Sequence, residues 1–150
     1  MASAPPGFTL RIERGLPAAR DRVFGALTRP DELRRWWGPR GFRARVLELD
    51  ARPAGRYRIA MTPPDGEVFH VTGAFLAVAA PERLEYTFRW EEPDPDDRET
   101  TVAVSLRSRD ATTLLTVTQG SFATEARREL HRQGWSESLD RLDEALSAVG

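Results

Sequence analysis

WSESLDRLDEALSAV, residues 135–149, decides how this chain folds. Its apolar residues Trp135, Leu139, Leu142, Leu146 and Val149 recur at steps of four, three, four and three. At 3.6 residues per turn, those side chains form one stripe on a helix. Thr124 carries an oxygen suited to capping a helix start, so the spacing predicts a helix from about Thr124 to Ala148. About 25 residues at 1.5 Å each make it roughly 37 Å long. Gly134 falls inside it, at a cost of about 1 kcal/mol against Ala, and marks a kink or a close approach.

That stripe needs a surface to cover, and the rest of the chain predicts a sheet. Leu84, Tyr86, Phe88 and Trp90 alternate with Arg83, Glu85, Thr87 and Arg89, so one face is apolar and the other wet. Phe8, Leu10 and Ile12 alternate with polar residues in a first strand that Gly15 should end. Further strands are predicted over residues 45–50, 55–61, 67–78, 99–107 and 112–119. Turns rich in Gly, Pro and Asp separate them, so the strands pair as antiparallel hairpins. Between the first strand and the rest, Pro17 opens a helix ending at Thr28, where Arg29 precedes Pro30. A second short helix runs from Pro30 to Trp37, acidic in its first turn and basic in its last, and the segment at 38–41 stops it.

The predicted class is α+β: a curved antiparallel sheet of about seven strands around a long C-terminal helix, with two short helices after the first strand. Residues 8–150 form one domain and residues 1–7 a flexible tail. A single helix cannot fill the whole concave face of such a sheet. The remainder is either packed with large side chains or left as a pocket.

Composition removes several functions. All 22 basic residues are Arg, with 23 acidic ones, and a net charge of -1 argues against nucleic acid. With no Cys and no Lys, thiol and Schiff-base chemistry and Cys-based zinc sites are excluded. Absent Lys and Asn and scarce Ile point to a GC-rich, bacterial genome, and the arginines fall where Lys would also serve. The N-terminus lacks a basic start and a long apolar run, and no segment is long and apolar enough to span a membrane; a cytoplasmic location is expected.

No nucleophile elbow, phosphate loop or His-Glu-x-x-His motif occurs, so no catalytic residue, metal ligand or cofactor is assigned. His70 lies between Phe69 and Val71 and is expected to face water, unless Gly73 hosts a bulge that changes the parity. His131, near Arg127, Arg128 and Arg132, is expected to be solvated. The acidic stretch at 91–99 reads as a solvated hairpin loop, and Arg43, Arg45, Arg56 and Arg58 as a basic stripe pairing with Glu48 or that loop. The candidate ligand-lining residues are Trp36, Trp37, Tyr57, Ile59, Met61, Phe69, Val71, Tyr86, Phe88, Trp90, Phe122, Trp135 and Leu139. Their Tyr hydroxyls and Trp N–H groups would be polar handles in an apolar pocket; the same stripes also serve simply as core. Trp36 and Trp37, adjacent on a short helix, are expected to split, one buried and one near the pocket mouth or surface.

Pro17 to Gly41, "PAARDRVFGALTRPDELRRWWGPRG", resembles the opening of the SRPBCC (START-like) superfamily, most closely the branch of the C-terminal domain of the activator of Hsp90 ATPase. "RPAGRY" at Arg52 to Tyr57, the "PDG" of Pro64 to Gly66, "PERLEYTF" at Pro81 to Phe88 and "GW" at Gly134-Trp135 extend the likeness over residues 8–149. Ala54 stands where that branch commonly has a second Gly, a departure expected to alter only the tightness of the turn. The resemblance implies the helix-grip fold, with a cavity between sheet and last helix.

Three functions follow as expectations. The first is binding of a hydrophobic small molecule. The second is a polyketide cyclase or hydratase-like enzyme, which needs an ionisable group aimed into the pocket. The third, action on Hsp90 as a co-chaperone, is least expected, because 150 residues leave no room for the separate N-terminal domain of the eukaryotic activators. A homodimer through a sheet edge or face is also open.

Overall fold

The alternating strand behaves as its pattern demands: Leu84, Tyr86 and Phe88 are buried and Arg83 and Arg89 are exposed. The computed structural model containing it describes residues 7–148. Val149, and all of the expected tail except Gly7, lie outside the described residues. In chain order the elements are β1 (Phe8–Leu16), α1 (Arg20–Thr28), α2 (Pro30–Trp36), β2 (Arg43–Leu49), β3 (Arg56–Thr62), β4 (Phe69–Ala79), β5 (Arg83–Trp90), β6 (Thr100–Arg109), β7 (Thr112–Phe122) and α3 (Glu125–Ala148). One seven-stranded sheet, ordered β1-β7-β6-β5-β4-β3-β2, is antiparallel throughout. The chain therefore leaves one edge after β1 and begins the other edge at β2, and α1 and α2 make that crossing. The predicted helix-grip architecture is the one observed.

The predicted stripe of α3 is the buried one: Trp135, Leu139, Leu142 and Leu146 face inward, with Ser138 between them. Thr124 caps the helix, its hydroxyl accepting the Arg127 N–H at 3.1 Å. Gly134 produces no break in the helix; a Cβ there would meet Pro39 at 3.8 Å, so the loop after α2 is what approaches it. α3 lies along β1, with Arg14 on β1 paired to Asp140 at 2.7 Å. Trp135 is also tied to the sheet by a buried polar chain. Its indole N–H donates to Gln119 Oε1 at 2.8 Å, and the Gln119 amide donates to Thr100 Oγ1 at 2.9 Å. Gln119 is 0 % exposed, so each of these bonds removes an otherwise costly orphan.

Several local expectations are corrected. Gly15 does not end β1: it pairs with Leu114, and Leu16 is buried beyond it. A glycine weakens a strand but keeps its ladder groups. α1 begins at Arg20 rather than Pro17; Ala19 is its N-cap, and the Thr113 hydroxyl donates to the Ala18 carbonyl at 2.7 Å, holding the link to the sheet. Trp36 and Trp37 do not split: they are 2 % and 7 % exposed. Trp37 is already the C-cap, with φ -66° and ψ 126°, so the chain has left helical geometry and both rings reach the core. Ala54 has φ 68°, the left-handed region that a Cβ disfavours, so the departure from Gly costs backbone strain as well as turn tightness.

Gly73 hosts no bulge; the irregularity in β4 falls between Phe75 and Ala77. Gly73 has another use. A Cβ there would lie 2.6 Å from Tyr57 Cε1 and 1.9 Å from the Thr87 carbonyl oxygen. Its absence lets the Tyr57 ring cross β4 and donate to that carbonyl at 2.7 Å. The Thr87 hydroxyl in turn accepts the Ala74 N–H at 2.9 Å. Tyr57 is thus stitched into the sheet itself.

Trp135→Ala is expected to destabilise by about 3–5 kcal/mol, because it leaves a cavity and an unpaired Gln119. Urea denaturation measures this, and a loss below about 1 kcal/mol would contradict the packing of α3 on the sheet.

Candidate functional site

Because α3 follows one side of the sheet, the concave face over β3, β4 and β5 is filled by side chains from several elements. Tyr57, Phe75 and Tyr86 form a cluster of tilted and edge-on rings with centroids 5.4–5.8 Å apart. Trp37 stacks near Phe88 at 6.4 Å, and Trp36 donates its indole N–H to the Ala26 carbonyl at 2.8 Å. Between these groups a cavity of about 20 Å³ remains, room for about one water. A preformed small-molecule site normally has several hundred Å³.

Six of the sequence-predicted residues line this cavity: Trp36, Trp37, Tyr57, Ile59, Tyr86 and Trp135. Phe88, Trp90 and Phe122 instead line a second space of about 10 Å³. Met61, Val71 and Leu139 are buried core in neither lining, and Phe69 is half-buried against Phe42 and Trp90. Sequence reading missed Leu27, Leu33, Leu49, Phe75, Leu84, Val104 and Leu115. Strand parity gives Leu84 and Val104, and the stripes of the short helices give Leu27 and Leu33.

The cavity's chemistry is narrow. No Asp, Glu, His or Arg lines it. Its two ionisable groups are tyrosines, and burial raises both pKa values, well above the ordinary value at Tyr57. Both stay protonated, so they can donate hydrogen bonds but cannot serve as bases near neutral pH.

The second space holds the group that sequence reading placed wrongly. His131 is half-buried rather than freely solvated: its ring packs on Phe122, Phe88 and Trp90 at 4.8, 5.6 and 5.9 Å between centroids. Burial, with Arg127 adding to it, pushes its pKa down to about 4. A signal existed, since position 131 is one four-residue step before Trp135 on the same stripe. Arg127 beside it holds Asp94, Asp96 and Asp97 of the β5–β6 loop, at 2.5, 3.0 and 3.5 Å. That loop is therefore fastened to the start of α3 rather than merely solvated.

Other arginines also act through their shape. Arg58 grips Glu91 with two bonds, at 2.8 and 2.9 Å, and that pairing lowers the Glu91 pKa. Arg141 donates to the carbonyls of Arg35, Trp37, Gly38 and Pro39, at 2.9–3.2 Å, closing the C-terminal end of α2. A planar guanidinium makes such forked contacts and an ammonium does not, so at these positions Lys would not serve equally. Of the expected basic stripe, Arg58 does pair with the acidic loop; among the described residues no ion pair forms to Arg43, Arg45 or Arg56.

His70 sits on the outer face, as expected, its Nδ1 2.7 Å from Glu92 Oε2. Ligand atoms of His70, Glu91 and Glu92 lie within 4.8 Å of one another. Glu91 is already committed to Arg58 and Glu92 to His70, so a cation there would have to displace both contacts. Among the described residues no helix is long and apolar enough to cross a membrane.

A family model, that of the Activator of Hsp90 ATPase homolog 1-like proteins, matches residues 17–147. Solved structures resemble the fold closely. A Chromobacterium violaceum protein is 28 % identical, with TM-score 0.85, covering 92 % of this chain and 96 % of that one. A protein from Arthrobacter aurescens is 25 % identical, with TM-score 0.83 and coverages of 93 % and 86 %. The AHSA1 protein of Silicibacter pomeroyi is 25 % identical, with TM-score 0.81 and coverages of 93 % and 98 %. No curated protein matches.

Two outcomes are expected from this geometry. Tyr57→Phe should cost about 1–2 kcal/mol, because the Thr87 carbonyl loses its donor, whereas Tyr86→Phe, which breaks no internal bond, should cost nothing measurable by denaturation. The second concerns acid. His131 is neutral in the fold down to about pH 4, against an ordinary value of 6.5, so the unfolded chain binds the extra proton first. Stability should therefore fall by about 1–2 kcal/mol between pH 7 and pH 5, above the carboxylate range. Urea denaturation of His131→Leu at the two pH values should show that loss abolished.

Proposed function

Given that the chain belongs to the Activator of Hsp90 ATPase homolog 1-like family, we propose that it is a cytoplasmic binding protein for a small apolar molecule, held between sheet and α3. The observation that supports this reading is the lining itself: aromatic and aliphatic side chains with two protonated tyrosines and no carboxylate, imidazole or guanidinium. Such a surface can hold an apolar body. It offers no general base near neutral pH, so the cyclase or hydratase reading lacks its proton-transfer group there.

At about 20 Å³ the cavity has to widen to admit a ligand. α2 borders the cavity, and the end of α2 and the loop after it are held on α3 by polar contacts that a widening on this side would have to release: Arg141 on the carbonyls, the Glu137 carboxylate on the Arg40 N–H, and the Arg40–Glu144 pair. The Hsp90 reading finds less support. The exposed large apolar residues Phe8, Leu47, Val68, Leu76 and Leu130 are spread over β1, β2, the loop before β4, β4 and α3, and the family's name says what its namesake acts on, not this chain.

Toluene titration followed by indole N–H resonances in 15N NMR tests the proposal. Trp36, Trp37 and Trp135 line the cavity and Trp90 does not, so the fourth indole is an internal control. Saturable shifts at the first three with Trp90 unmoved are expected. No shift up to the solubility limit, or equal shifts at all four, would overturn the proposal.

A further inference from the structure

Two hydrogen-bond donors on residues that line this cavity have no partner. The Tyr57 hydroxyl is taken by Thr87, the Trp36 indole by Ala26 and the Trp135 indole by Gln119. The Tyr86 hydroxyl and the Trp37 indole N–H bond to no described residue, although their side chains are 6 % and 7 % exposed. Among the described residues every fully enclosed side-chain nitrogen or oxygen does have a partner. The Tyr86 hydroxyl therefore borders free space. Tyr86 stands on the inward face of β5, against Tyr57 and Phe75, and the free space on that side is the cavity.

An unpartnered polar group in an apolar core costs stability, so a core built only for packing would place Phe at position 86. The hydroxyl acquires a purpose once a second molecule supplies the missing acceptor. Burial raises its pKa, so the hydroxyl keeps a proton that only an acceptor can satisfy. Trp37 can only donate. A ligand that itself donated would leave both protons unpaired. A charged acceptor is excluded as well, because no Arg or His lines the cavity to compensate a carboxylate.

We propose that the ligand is an uncharged molecule with an apolar body and one carbonyl-type oxygen, and that Tyr86 recognises this oxygen. This rests on the apolar-ligand reading above and narrows it: a pure hydrocarbon fits the walls but leaves the Tyr86 proton unpaired, and a fatty-acid anion is rejected. Trp37 is the second donor within the same lining.

The test is a pair of probes of one shape. Acetophenone and α-methylstyrene differ by an oxygen in place of a methylene group. Each is titrated by NMR into the full chain and into Tyr86→Phe, whose fold is verified by its denaturation midpoint. The variant is expected to weaken acetophenone by about 3- to 10-fold, the worth of one net hydrogen bond, and to leave α-methylstyrene within about twofold. Equal effects on both probes, or none on either, would overturn the Tyr86 assignment while leaving apolar binding intact. Failure of both probes to bind the unaltered chain would overturn the apolar-ligand reading and this inference with it. Benzoate, carried as a third probe, should bind neither protein; saturable benzoate binding at these residues would contradict the uncharged class.

Discussion

A sheet of seven antiparallel strands with one apolar face has only one long helix to cover it. That mismatch governs the rest of the molecule. The stripe Trp135, Leu139, Leu142 and Leu146 can seal only a band beside β1, at roughly 1.5–3 kcal/mol for each large apolar side chain buried. The uncovered part of the face must be filled from elsewhere. Aromatic rings of β3, β4 and β5 rise into it, and α2 delivers Trp36 and Trp37 from the open end. Large rigid rings meeting edge to face pack well but leave small gaps, and the cavity is the gap where these groups converge.

Polar chemistry then fixes what packing leaves loose. The Trp135–Gln119–Thr100 chain sets the height of α3 on the sheet, since a shift by one turn would strand a buried amide. Arg127 fastens the β5–β6 loop to the start of the helix, and Arg141 fastens the end of α2 to its middle. Both fastenings rest on forked contacts of one guanidinium. An Arg-only basic set, which as composition reads as a mark of genome bias, supplies the shape these latches use.

The architecture was legible because its signals are periodic. Alternation over 83–90, the four-and-three steps after Trp135, and Pro and Gly at the turns each select one local geometry. What escaped were contacts set by tertiary placement. Trp37 is buried because the helix stops one residue before it, a distinction of a single ψ angle. His131 is half-buried against aromatic rings because the stripe continues one step before Trp135, under a cluster of arginines that made the segment read as wet. The inward parity of β7, Thr113, Leu115 and Val117, carries on to Gln119, whose polarity hides its place in the core. Of the candidate site, the aromatics that share the first cavity were foreseen, but its division into two spaces was not. Neither could its size be read, because volume depends on how rings tilt.

The division matters for function. One space holds neutral hydroxyl and indole groups among apolar walls; the other holds an imidazole beside a fastened acidic loop. Under the proposed function, the first selects a ligand by shape and one hydrogen bond, without chemistry. For the proposed function to hold, the gap between sheet and helix has to yield to an apolar guest. Crystals of the protein pressurised with xenon test it most directly. Xenon bound between Trp36, Tyr86 and Trp135 is the expected result. Crystals that diffract unchanged under pressure, with no xenon in that space, would contradict it.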